Sequence, residues 1–171
     1  FRGGDHLVEA KFGLQDLPEQ LWPNQRMDML GNDQKRVNLR YLGDLDWGRL
    51  EARVYHEDVD HFMDFGDDKK YWYKSPPGAT YDGTPCTVTL PISECAAGMP
   101  MYTESTNTGA VVKADIDLTQ QDLLRVGAEY QRYRLDDWWP ASGAGMAPNT
   151  FLNVNDGERD RSALFGEWEK Q

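Results

Sequence analysis

The sequence has 171 residues, about the length of one domain, and a formal net charge of −11. This acidic balance argues against nucleic-acid binding through a basic surface. The hydrophobic fraction of 39% is low for a compact globule, whereas the aromatic fraction of 12% is too high for a disordered chain. No signal peptide and no apolar run of helical membrane-spanning length is visible. Because the chain starts at Phe1 and stops abruptly in GEWEKQ, we expect a piece of a longer protein.

The first strand is expected between His6 and Leu14, where apolar residues recur at every second position. Residues 15 to 34 follow without any period and contain two prolines, which predicts a loop. This loop holds the segment QRMDM, with Met27 and Met29.

A hairpin is predicted between Arg36 and Phe65, with its turn between Gly43 and Gly48. Both arms alternate polar and apolar residues, and residues i and i+2 of a strand point to the same side. His61 and Met63 therefore fall on the polar face. That face also carries Glu51, Arg53, Tyr55 and Glu57.

The second half of the chain repeats this organisation. Residues 66 to 102 predict a long irregular loop that ends in GMPM, with Met99 and Met101. Two alternating strands with a short polar turn follow, and residues 136 to 158 predict a second long loop. The bounds of the two strands and their turn are Thr108 to Leu118, Leu124 to Tyr130, and Thr119 to Asp122. A last strand is expected from Arg161 to Glu169, with its faces undetermined.

Short turns thus fall at one end of every hairpin and long loops at the other. The predicted fold is all-β, with antiparallel up-and-down strands. An outer-membrane β-barrel has this pattern, with strands of about ten residues, short periplasmic turns and long extracellular loops. A soluble antiparallel sandwich or barrel also alternates, but its apolar face fills a core. The small residues of the apolar face, among them Ala52, Ala110, Ala114 and Ala128, favour the membrane barrel.

The two cysteines, Cys86 and Cys95, lie nine positions apart in a segment rich in Pro, Gly and Thr. A disulfide that closes a short loop is the favoured interpretation, and it implies an oxidising compartment. A pair of free thiols and thiolate ligation of a soft metal are the alternatives.

Three segments resemble TonB-dependent outer-membrane receptors, and most closely their copper-receptor branch. They are RVNLRYLGDLDWGRLEARVYHEDVDHFMDFGDDK, GMPMYTES and RVGAEYQRYRLDDWWP. The resemblance covers roughly Asp33 to Glu169 and implies a barrel of about 22 strands with an N-terminal plug, energised through TonB. Residues 1 to 171 would then hold about six barrel strands without the plug. The implied location is the bacterial outer membrane, in contact with its lipid and lipopolysaccharide.

The resemblance also implies a cargo, because the His-x-Met pair of the copper receptors matches His61 and Met63. In that branch a Cys and a Met from the plug complete the site, and the context of Cys86 and Cys95 does not match them. Thioether and imidazole are donors that Cu(I) prefers. Met99 with Met101, and Met27 with Met29, repeat the spacing and are further candidate ligands, although methionine also serves as adaptable apolar filler.

Two other functions are compatible with the same sequence features. A receptor of the same fold could take a ferric siderophore instead of copper. A soluble secreted β-domain could bind carbohydrate or protein on Trp138 and Trp139. No nucleophile motif and no phosphate-binding loop is present, so we do not expect an enzyme or a catalytic cofactor.

Overall fold

The computed structural model describes residues 1–25, 27–64, 100–141 and 149–170. These residues form one antiparallel sheet of seven strands, and every strand pairs with its neighbours in sequence. The first and last strands do not pair with each other, so the sheet is open. The expected all-β, up-and-down arrangement is thereby confirmed. The strands are β1 Arg2–Gly3, β2 His6–Leu17, β3 Asp28–Leu45, β4 Gly48–Asp64, β5 Met101–Asp117, β6 Asp122–Trp139 and β7 Phe151–Lys170.

The strands extend further into the long connections than the sequence pattern predicts. β2 runs to Leu17 and β3 begins at Asp28, so half of the loop predicted over residues 15 to 34 was wrong, and the connection covers residues 18 to 27. Likewise β6 continues to Trp139 and β7 begins at Phe151, inside the loop predicted over residues 136 to 158. The backbone hydrogen bonds between paired strands form whether or not polar and apolar side chains alternate. Here the strands continue into segments where polar and apolar residues do not alternate regularly, and periodicity cannot detect them there.

The short turns lie together at the other end of the sheet, as predicted. Only Asp46 and Trp47 connect β3 to β4, and Gly48 follows with a φ of 135°. A Cβ atom at Gly48 would overlap the carbonyl oxygen of Asp115 on β5. This turn therefore requires glycine for its backbone angle and for the close approach of the neighbouring strand.

The described residues make a single layer with almost no interior. Met29 is the only hydrophobic residue among them that is buried. The apolar face is open instead: Val54 is 51% exposed, and Phe12 and Leu164 are each more than 80% exposed. No second layer of described residues covers this face.

The apolar face is a slanted band rather than a rectangle. On β2 the uninterrupted series of apolar residues on this face ends, towards the long connections, at Leu14, which lies in the same cross-strand row as Asp58. On β7 the series ends at Leu164, which lies in the row of Ala52. Further apolar residues of this face lie beyond a polar stretch, namely Phe62, Tyr102, Trp138 and Leu152. The edge therefore shifts by six residues, 58 minus 52, over the five strand-to-strand steps from β2 to β7. The intermediate edge residues are Val37, Val54, Ala110 and Tyr130.

The register also fixes the faces of the last strand, which the sequence left undetermined. Leu164 pairs with Ala128 and belongs to the apolar face, whereas Phe165 pairs with Gly127 on the polar face. The ring of Phe165 occupies the space where a Cβ atom of Gly127 would lie. Glycine on one strand thus makes room for an aromatic ring on the next.

Candidate metal site

The polar face is built from the side chains opposite the apolar band and is held by cross-strand ion pairs. Arg40 on β3 contacts Glu51 on β4 at 2.7 Å, and Arg125 on β6 contacts Glu169 on β7 at 2.8 Å. An open groove of about 890 Å³ runs along this face over β2 to β4. Arg36 and Arg53 are among its lining residues. The groove is therefore an open, charged surface.

His61 lies on this polar face, as the parity of β4 predicts. β4 pairs with β5 without interruption from Gly48 to Met63, so residues 51, 53, 55, 57, 61 and 63 share one side. Nδ1 of His61 lies 3.0 Å from Oδ1 of Asn32 on β3. An amide oxygen only accepts hydrogen bonds, so Nδ1 carries the ring proton. In the neutral form of such a ring Nε2 carries the lone pair and is the atom that is able to bind a metal ion.

Met63 has a methionine as its direct cross-strand partner on each of the two neighbouring strands. It pairs with Met29 on β3 and with Met101 on β5. Directly paired residues point to the same face, about 5 Å apart at their Cβ atoms. The structure therefore brings together one methionine from each of the three candidate pairs. This convergence cannot be read from the sequence, because pairing across strands depends on where the long connections end.

The other candidate ligands are placed differently. Met27 lies just before β3, outside the strand, so it does not share a strand face with Met29. Met99, Cys86 and Cys95 lie outside the described residues.

Carboxylates and imidazoles form no metal site of their own in the described ranges. No group of three or more His, Cys, Asp or Glu side chains there could hold an ion. His56 on the apolar side is engaged locally, because its Nε2 lies 3.1 Å from Asp58 and its Nδ1 lies 2.6 Å from the Thr108 hydroxyl. A site built on thioethers and one imidazole is a different chemical class.

The two adjacent tryptophans take part in contacts between strands. Trp138 stacks on Tyr102 with ring centroids 5.4 Å apart, and Tyr102 stacks on Phe62 at 4.4 Å. Trp139 contacts Phe151 edge to face at 6.3 Å. Both tryptophans are half-buried. They pack against side chains of the neighbouring strands near the strand ends, so only part of their surface is available to a ligand.

Comparisons with protein-family models, with curated proteins and with solved structures find no match to this chain. Within the described ranges, no helix is long and apolar enough to cross a membrane.

Proposed function

We propose that this chain forms part of the wall of an outer-membrane, TonB-dependent importer, and that the cargo is copper. β2 to β7 would contribute six consecutive barrel strands. The observation that carries the proposal is the slanted, exposed apolar band on a sheet that has no second layer.

The slant of the band has the size that a membrane barrel requires. Strands of outer-membrane barrels are tilted by about 35–45°, so a lipid-facing band of constant height crosses them obliquely. A shift of six residues at about 3.3 Å each, over five steps of about 4.8 Å, corresponds to a tilt of about 40°. In this arrangement the apolar face meets lipid and lipopolysaccharide, and the charged face lines the lumen.

The opposite face suits a water-filled or plugged interior. Its arginines and glutamates pair across strands, as Arg40 does with Glu51 and Arg125 does with Glu169. Charged residues are tolerated on the lumen side of such barrels, whereas the lipid side excludes them. The proposed partner TonB would act through a plug domain that inserts into this lumen.

Copper is the proposed cargo because His61 and Met63 share the lumen face at the end that carries the long connections. That end is extracellular in the proposed orientation. An imidazole with a free Nε2 and a thioether two residues away are soft donors suited to Cu(I). The resemblance to copper receptors rests on the same two residues.

Two adjacent valines provide a matched test of the membrane orientation. Val112 belongs to the apolar band and is 47% exposed, whereas Val111 lies on the polar face between Arg53 and Glu129. In the full-length protein, V112R is expected to lower the free energy of unfolding in lipid by about 2–4 kcal/mol, and V111R by much less. Folding into vesicles measures both variants. Equal tolerance of the two arginines would contradict the barrel.

The cargo is tested separately by a binding screen on the intact receptor. H61A/M63A is expected to abolish copper binding and leave the folded barrel unchanged. Metal analysis of purified protein measures the first, and heat-modifiable migration in gels measures the second. Unchanged copper occupancy in the variant, or tight binding of a ferric chelate by wild type, would remove the copper assignment and spare the fold.

A further inference from the structure

The strongest unexplained feature is the row of three methionines on adjacent strands. Met29, Met63 and Met101 are direct cross-strand partners on one face, two residues along β4 from His61. Met29 is 7% exposed, and Met63 and Met101 are half-buried. Three long thioethers therefore point from neighbouring strands into a partly desolvated region at the edge of the polar face.

A β-bulge creates this row. On β3, Asn32 pairs with His61 and Gly31 pairs with Phe62, so an unbroken register would place Leu30 opposite Met63. The register shifts between residues 29 and 31, and Met29 takes that position instead. Bulges commonly re-aim a side chain beside a functional site. The shift here replaces an aliphatic side chain with a thioether at the one place where it meets two others.

The backbone at the bulge is held from its other side as well. Gln20 and Met29 exchange two backbone hydrogen bonds, of 2.8 and 3.1 Å. The carboxylate of the adjacent Asp28 is completely buried and accepts the backbone N–H of Trp22 at 2.6 Å. Met29 is therefore fixed in place on both sides, which is a requirement for a preorganised ligand.

We propose that Met29, Met63 and Met101 together bind a soft monovalent ion, Cu(I) or Ag(I), with His61 as an adjoining imidazole donor. This inference rests on the proposed import function, since it names the site where the cargo would dock. Thioethers are neutral, soft and do not titrate, so they discriminate against Zn²⁺ and against hard cations. Each Met has three rotatable bonds, which lets its sulfur turn towards an ion held at Met63.

Methionine-to-leucine changes separate ligation from packing, because leucine fills nearly the same volume with no donor atom. The probe is Ag(I), titrated against a competing chelator with the full-length protein in detergent. M29L, M63L and M101L are each expected to weaken Ag(I) binding by about tenfold or more. M27L is the matched control, since Met27 is two residues from Met29 and outside the strand. It is expected to bind like wild type.

A sharper variant exchanges two neighbours without changing composition. M29L/L30M keeps every methionine in the chain and moves one of them out of the row. The proposal expects the same loss of Ag(I) affinity as in M29L. Wild-type affinity in M29L/L30M, or in M101L, would overturn it.

The outcome is distinguishable from failure of the import proposal, because it is measured on purified protein. Ag(I) binding that depends on the three methionines, without copper uptake by cells, would contradict the proposed import function and support the proposed metal site. Copper uptake that depends on His61 alone, with all three leucine variants binding Ag(I) like wild type, would contradict the proposed three-methionine site and support the proposed import function.

Discussion

His61 on β4 and Asn32 on β3 lie directly opposite each other, with 3.0 Å between Nδ1 of the imidazole and Oδ1 of the amide. The hydrogen bond fixes the ring tautomer and orients Nε2 away from Asn32. Metal-binding histidines commonly have such a partner on the nitrogen that does not bind the ion. Asn32 is therefore a positioning residue for the proposed site.

Removal of this partner should weaken soft-metal binding without removing a ligand. N32L in the full-length protein is expected to lower Ag(I) affinity by about tenfold, whereas H61A lowers it further. N32D keeps an acceptor oxygen opposite Nδ1 and should retain most of the affinity. Competition titration measures all three variants. If N32L binds like wild type while H61A does not, Asn32 has no positioning role.

The second prediction concerns the effect on stability of replacing Gly48, in the tight turn between β3 and β4. G48A would force a φ of 135° on alanine and drive its Cβ into the carbonyl oxygen of Asp115. We expect a loss of about 1–3 kcal/mol in the free energy of unfolding and less folded protein in the membrane. Guanidinium unfolding in lipid vesicles provides the measurement.

Gly166 supplies the control for that experiment. It lies within β7, has no positive φ, and a Cβ there would come no closer than 3.9 Å to any neighbour. G166A should therefore leave stability within about 1 kcal/mol of wild type. A similar loss in both variants would show that neither the turn geometry nor Asp115 matters.

Gly127 and Phe165 form a coupled pair that a double-mutant cycle can measure. G127A places a Cβ where the Phe165 ring now lies, so the ring must move away. We expect G127A to destabilise the full-length protein by about 1–2 kcal/mol. The same change in an F165A background should cost less, because the space is then empty. Strictly additive effects would contradict the contact.

The sequence predicted the architecture where one face of the sheet is apolar. Alternation around Val54 and Val112 identified strands and faces correctly, because lipid or a core would select that pattern equally. It failed at the ends of β2 and β3, where Gln15 and Asp16 pair with Gln34 and Asp33 and all four residues are polar. There the strands are held by backbone pairing, which has no signature in side-chain polarity.

The candidate site shows the same limit. Parity along β4 placed His61 and Met63 on one face from the sequence alone, since spacing within a strand is local information. The meeting of Met29 with Met63 depends on the shift at Leu30, and that of Met101 depends on where β5 begins. Both are properties of pairing between distant segments, which a single sequence does not specify.

The stack of Phe62, Tyr102 and Trp138 gives the last prediction. Tyr102 is the central ring, with its neighbours at 4.4 and 5.4 Å, so Y102A removes two contacts and F62A removes one. Each aromatic pair contributes about 0.5–1.5 kcal/mol beyond buried area, and Y102A should therefore destabilise the full-length protein about twice as much. Equal stability losses in Y102A and F62A would show that the three rings do not act as one stack.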